Sequence, residues 1–233
     1  MKITALTITA IITFILSGFS QPTSSPPKAV AKPKARDRAF GPVVDDPQLP
    51  RVLLIGDSIS IGYTAPVRDL LKGKANVHRN PGNGGPTTNG LANLKKWLGD
   101  GKWSVIHFNW GLHDLKFMSD GKRQVDTEAY EKNLRELVRQ LKATGAKLIW
   151  ATTTPVPEGV TPPRKNADVL AYNAVAQRIM EENQITVDDL YSFALPRLAE
   201  IQQPANVHFT PQGSATLAKY VAASIESVLG RKK

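Results

Sequence analysis

Cysteine is absent from the 233-residue chain, which excludes disulfide frameworks, cysteine-ligated zinc, iron–sulfur clusters and thiol nucleophiles together. Histidine is scarce, with four in all, so a multi-histidine metal site requires nearly all of them to converge. No apolar run reaches the ~18 residues of a membrane-spanning helix, which excludes a polytopic membrane protein. Acidic side chains are the minority charge. Against 20 Asp and Glu stand 30 Lys and Arg, a formal net charge of +10 that favours anionic surfaces or polymers. Residues 51–233 hold 24 basic and 17 acidic side chains, so the excess is not a property of the N-terminus alone. No Lys/Arg stripe with interleaved aromatics runs through them, and nucleic acid is not an expected partner. The length fits one globular domain with some extra chain.

The extra chain is N-terminal. Met1-Lys2 is a short positive start, residues 3–16 carry no charge, and Gly18 and Ser20 offer small residues to a peptidase. Residues 1–20 are therefore expected to be a signal peptide, and the protein to be exported to the periplasm, cell envelope or medium. The alternative is an uncleaved anchor, which the short length and Thr4, Thr7, Thr9 and Thr13 disfavour. Residues 21–50 contain seven of the 17 prolines and a basic centre of Lys28, Lys32, Lys34, Arg36 and Arg38. Missing donors and like-charge repulsion predict a disordered linker. It serves as a spacer or makes peripheral contact with an anionic envelope surface.

From Arg51 onward, short apolar runs alternate with amphipathic segments. Val52-Leu53-Leu54-Ile55 reads as a buried strand ending at Gly56; residues 103–110 and 147–151 read likewise, and residues 75–77 and 185–187 are weaker strands. Tyr130, Leu134, Leu137, Val138 and Leu141 repeat at helical spacing before Gly145, as do Val169, Tyr172, Val175, Ala176 and Ile179, and Leu217, Val221, Ile225 and Val228. Strands separated by helices imply crossovers and a parallel sheet covered on both faces. The expected fold is an α/β three-layer sandwich with a central parallel sheet, over residues 51–230.

In such a sheet, reactive groups belong in loops at the carboxyl ends of the strands. The first loop carries Gly56-Asp57-Ser58-Ile59-Ser60, where Ser58 is placed like a nucleophile at a helix N-terminus. Helix capping by Asp57 or Ser58 is the simpler alternative. Asn80-Pro81-Gly82-Asn83-Gly84-Gly85-Pro86-Thr87-Thr88 follows the second strand, a loop able to aim amides at an anion. Gly111-Leu112-His113-Asp114 follows the third, and Asn206-Val207-His208-Phe209-Thr210-Pro211 enters the last helix.

These four ordered blocks resemble those of the SGNH/GDSL hydrolases. The resemblance implies a flavodoxin-like fold and hydrolysis of carboxylic esters, with neither cofactor nor metal. It implies Ser58 as nucleophile, His208 as general base, and an oxyanion hole of the Ser58 amide, the Gly85 amide (Gly84 as fallback) and a third-block side chain. Two departures stand out. The family's third block is usually Gly-x-Asn-Asp, and here His113 holds the Asn position, with Asn109 as a weaker substitute donor. The last block is usually Asp-x-x-His, and Ala205 holds the Asp position, so the base works as a Ser–His dyad or is held by a carbonyl, Asp114 or another carboxylate, with Asn206 near enough for a hydrogen bond at most.

Residues 152–166 form a long loop with four prolines, ending in Arg164 and Lys165, which are either a solvated rim or contacts for an acidic substrate. Trp110 either stacks on a sugar ring or plugs the strand end. No apolar insertion suggests a lid, so the expected substrate is a small or sugar-borne acyl ester such as O-acetyl. The alternatives are a catalytically weak or inactive glycan-binding protein and an acyltransferase using the same site.

Overall fold

The computed structural model describes residues 35–230, and the expected signal peptide and residues 21–34 of the expected linker lie outside them. Five strands form one parallel sheet in the order β2-β1-β3-β4-β5. They are β1 (Arg51–Ile55), β2 (Asn76–Arg79), β3 (Val105–Phe108), β4 (Lys147–Ala151) and β5 (Thr186–Asp188). The crossovers are α2 (Ser58–Leu70), α3 (Thr87–Leu98), α4 (Thr127–Lys142) and α5 (Asn166–Glu182). A short α1 (Ala35–Phe40) precedes the sheet; α6 (Leu190–Ala194), a 3-10 turn, α7 (Leu198–Ile201) and α8 (Pro211–Gly230) follow it.

The helices divide between two faces. α2 packs against α1 and α8, while α3, α4 and α5 pack in series. Tyr130, Leu134, Leu137, Val138 and Leu141 all turn inward from α4, the stripe that an amphipathic helix needs to cover a sheet. Val52, Leu54, Val105, Ile106, Phe108, Ile149 and Trp150 are fully enclosed, as expected of strands covered on both sides. His107 on β3 is buried too, its Nε2 donating to Asp188 Oδ2 on β5 at 2.7 Å. The sheet order reverses direction beside β1, and the loops leaving the carboxyl ends of β1 and β3 flank that crevice, the usual place for a ligand in an open α/β sheet.

The expected linker is corrected in its second half. Residues 35–50 belong with the domain because polar groups far along the chain hold them. Arg38 pairs with Asp69 at 2.6 Å, Arg68 Nη1 donates to Arg38 O at 2.8 Å, and Asp45 accepts from both Arg51 and His78. Among the described residues, no helix is long and apolar enough to cross a membrane.

Candidate active site

Ser58 is presented by the turn from β1 into α2. Asp57 caps α2, its Oδ1 accepting from Ile59 N at 2.9 Å, and Ser60 Oγ donates to Asp57 O at 2.9 Å. Asp57 is buried and engaged in that cap, which is its role here. As the first helical residue, Ser58 has an amide with no carbonyl four residues back to bond. Its N–H therefore has no partner within the helix.

His208 Nε2 stands 2.9 Å from Ser58 Oγ, across 150 residues of sequence. A small closed loop presents the imidazole. Gln202 and Phe209 bridge its ends, Gln203 N donates to His208 O at 3.0 Å, and Thr210 N returns to Ile201 O at 2.9 Å. Asn206 sets the ring. Its Oδ1 lies 3.0 Å from His208 N and 2.7 Å from His208 Nδ1, and its Nδ2 donates to Gln203 Oε1 at 3.3 Å. The backbone donor and the Gln203 acceptor identify which end of the amide is oxygen. The proton must then sit on Nδ1, so Nε2 is the lone-pair nitrogen facing the serine. Ala205 has no part in this. Its backbone is left-handed, φ 48°, and its Cβ lies towards Gly159.

The second block lies against the first. Gly84 N donates to Gly56 O at 2.9 Å, and a Cβ at Gly84 would stand 2.8 Å from that oxygen, so only glycine permits the approach. That bond removes Gly84 as an amide donor to a substrate. Gly85, at φ 61°, turns its N–H to Asn83 Oδ1 at 2.9 Å. Asn83 is exposed, and an incoming oxygen must replace its side chain. Two residues hold the blocks together, Asn80 at the head of the second block and Arg79, which sequence reasoning missed. Asn80 Oδ1 accepts from Gly56 N at 3.1 Å, and Arg79 Nη2 lies 3.2–3.3 Å from Gly56 O, Ser60 Oγ, Asn80 Oδ1 and Gly82 O. Burial pulls the Arg79 guanidinium down to about 10, still charged at neutral pH, and Phe40 of α1 covers it at 4.8 Å.

The third block separates into different tasks. His113 is half-buried, and burial lowers its imidazole below the ordinary value; Asp57 opposes that shift, while Arg164, Lys116 and His208 add to it. Burial thus favours the neutral form of the ring. Asp114 turns away from both histidines into the core. Its Oδ1 accepts from Thr87 N at 2.9 Å and Thr87 Oγ1 at 2.5 Å, fastening α3 to this loop. Burial pushes its carboxyl up to about 7. Asn206, and not Asp114, therefore holds His208. Asn109 is also engaged elsewhere, Nδ2 donating to Ala151 O at 2.8 Å and Thr153 Oγ1 at 3.2 Å, which ties β3 to β4 and corrects its expected place as a spare donor. Trp110 is buried with its ring against Gly90, so it plugs the strand end and offers no stacking face.

His208 is exposed and Ser58 half-buried, so the pair opens directly on the surface. Cavities of about 740 and 460 Å³ lie instead at the amino ends of the strands, lined by residues such as Trp103 and Lys147 and by neither Ser58 nor His208. The void directly beneath the nucleophile turn, beside Asp57 and Tyr63, is about 10 Å³, room for a water at most.

Residues 54–216 match the GDSL-like Lipase/Acylhydrolase family. Solved structures share the fold. The lipase/acylhydrolase from Enterococcus faecalis has a TM-score of 0.68 at 23% identity, covering 79% of this chain and 99% of its own. Axe2, an acetylxylan esterase from Geobacillus stearothermophilus, has 0.63 at 21%, covering 78% and 95%. The acetyl xylan esterase AlAXEase has 0.65 at 15%, covering 75% and 99%. No curated protein matches the sequence.

Proposed function

Since the chain belongs to the GDSL-like lipase/acylhydrolase family and is an ester-hydrolysing enzyme, we propose that Ser58, His208 and Asn206 are its reacting triad. The 2.9 Å contact between Ser58 Oγ and His208 Nε2 carries this reading. The neutral imidazole takes the serine proton as Oγ attacks the ester carbonyl, because a free hydroxyl is a poor nucleophile near neutrality. The imidazolium then gives that proton to the departing alcohol, leaving an acyl-serine. Water, deprotonated by the same nitrogen, releases the acid and restores Ser58. Asn206 supplies position without charge. It holds the productive tautomer, as an orienting aspartate does elsewhere, but adds no carboxylate to stabilise the imidazolium.

The developing oxyanion is held by the amides of Ser58 and Gly85, the latter freed when Asn83 turns away, and by an N–H of His113. Each such donor is typically worth about 10²–10³ in rate. An imidazole that is neutral at working pH donates one N–H without bringing a charge that would compete for Asp57.

The substrate is a small acyl group, such as acetyl, on a sugar. An exposed histidine and an open site suit an ester displayed on a bulky alcohol, and a long acyl chain needs a cavity beside the serine. The two acetylxylan esterase structures of the same fold agree with that choice. The charge-free run of residues 3–16 after Lys2 supports export, where such glycans lie. The test is hydrolysis of p-nitrophenyl acetate and p-nitrophenyl decanoate by wild type and Ser58→Ala. Acetate turnover that falls to background in the variant, with decanoate much the poorer ester, is expected. Equal acetate rates in both proteins overturn the assignment.

A further inference from the structure

Arg164, like Arg79, is a cation beside the site that meets no carboxylate among the described residues. Arg164 lies near the end of the loop after β4, a segment pinned by Val156 N to Asn166 Oδ1 at 3.1 Å and by Phe117 N to Pro163 O at 2.9 Å. Its Nε donates to Leu112 O at 2.8 Å and its Nη1 to Pro162 O at 3.0 Å. The first of these bonds fixes the guanidinium against the residue that precedes His113. Nη2 has no hydrogen-bond partner among the described residues, and no carboxylate pairs with the group. By contrast Arg51, Arg123 and Arg135 each meet an acid at 2.5–2.8 Å.

The charges facing Arg164 are few. Asp57 is the acid within its reach, but that carboxylate is buried and its Oδ1 is engaged by Ile59 N. Lys116 joins Arg164 near His113, and Lys165 lies over the Phe117 ring at 5.4 Å. The rim beside the proposed oxyanion site is therefore net positive. Its guanidinium is held in place by two carbonyls and keeps N–H groups of Nη2 and Nη1 to offer. A planar donor edge of that kind matches a carboxylate, bidentately if both nitrogens take part.

We infer that Arg164 binds a carboxylate carried by the substrate close to the scissile ester, which makes acyl esters of acidic sugars, or half-esters of dicarboxylic acids, the preferred substrates. This rests on the ester-cleaving reading of Ser58 and His208. The two sources of the carboxylate differ in which side of the ester bears it, and the experiment separates them.

Turnover is compared for two matched pairs: O-acetylated methyl glucuronoside against O-acetylated methyl glucoside, and p-nitrophenyl hemisuccinate against p-nitrophenyl butyrate. Wild type should favour the acidic member of one pair by about tenfold or more in kcat/KM, the scale of a hydrogen bond to a charged group. Arg164→Gln should bring that ratio towards one, chiefly through KM, and Arg164→Lys should retain part of it. A ratio is insensitive to lost folding, which lowers both rates alike. Ratios near one for wild type in both pairs, or a ratio untouched by Arg164→Gln, overturn the inference. Calorimetry with Ser58→Ala protein separates it from the catalytic reading. Salt-sensitive binding of the acetylated glucuronoside that disappears on adding Arg164→Gln sustains the anion site even if wild type hydrolyses nothing. Absence of that binding, with no acid preference in turnover, ends it.

Discussion

Asn206 Oδ1 accepts from both the backbone N–H and the ring Nδ1–H of His208, at 3.0 and 2.7 Å. A neutral amide thus occupies the place where a charged orienter is usual, two residues before the histidine instead of three. The arrangement fixes the tautomer and omits the charge.

That separation of position from charge is testable at one atom. Asn206→Asp keeps an oxygen facing Nδ1 and adds the charge, so kcat should rise, by about tenfold if an ion pair in a half-exposed site contributes about 1.4 kcal/mol. Asn206→Ala frees the ring and should lower kcat by about 10–100-fold. Steady-state kinetics on p-nitrophenyl acetate decide it, and an Asn206→Ala enzyme as fast as wild type contradicts the role given to the amide. Ala205→Asp should not raise the rate, because that side chain lies towards Gly159.

In the proposed mechanism His113 donates to the oxyanion as a neutral ring. His113→Leu should therefore lower kcat by about 10²-fold with little change in KM. His113→Asn, which places a shorter amide donor there, should recover part of the loss. Equal defects in the two variants count against donation and for a packing role.

Arg79 fastens the nucleophile turn to the second-block loop through Gly56 O and Gly82 O. Arg79→Met removes those bonds and leaves the Ser58–His208 contact intact. Activity should fall by about tenfold or more while fluorophosphonate still labels Ser58, since labelling needs the nucleophile more than a well-formed oxyanion site. Loss of both together points to collapse of the turn.

Asp114 gives the stability of the domain a defined pH dependence. Its folded value is about 7 against an ordinary 3.8, so between those limits the folded state holds a proton that the unfolded state has released. Stability contributed by this group is complete below the ordinary value and is lost as pH rises to about 7. Urea unfolding of wild type and Asp114→Asn at about pH 5 and pH 8 measures it. Relative to wild type, the variant should gain about 2 kcal/mol at the higher pH. A pH-independent difference contradicts a buried, protonated Asp114.

Much of the fold was legible because strands and helices announce themselves locally. Residues 147–151 are β4 to the residue, and the α4 stripe from Tyr130 to Leu141 is the buried face. The two weak strands were legible only as three-residue stretches, since Asn76 and Thr186 interrupt their apolar residues and Arg79 and Asp188 end them with charged side chains. Residues 35–50 read as linker because proline and charge dominate them, whereas their partners, Arg68, Asp69 and Asn76, lie about 30 residues on. Ser58 and His208 were visible through motif order. Arg79 and Gln203 were not, because each acts by bonding backbone or amide groups, which leaves no pattern in spacing. The fit of Asn206 to His208 depends on a loop closed by the Gln202–Phe209 bridge, which no periodicity records.

In the proposed mechanism His208 activates Ser58. Intact-mass spectrometry after brief exposure to a fluorophosphonate tests it most directly. A single adduct mapping to Ser58 is expected, formed rapidly by wild type and at background rate by His208→Ala. Labelling at the same rate in both proteins, or an adduct at any other residue, would contradict it.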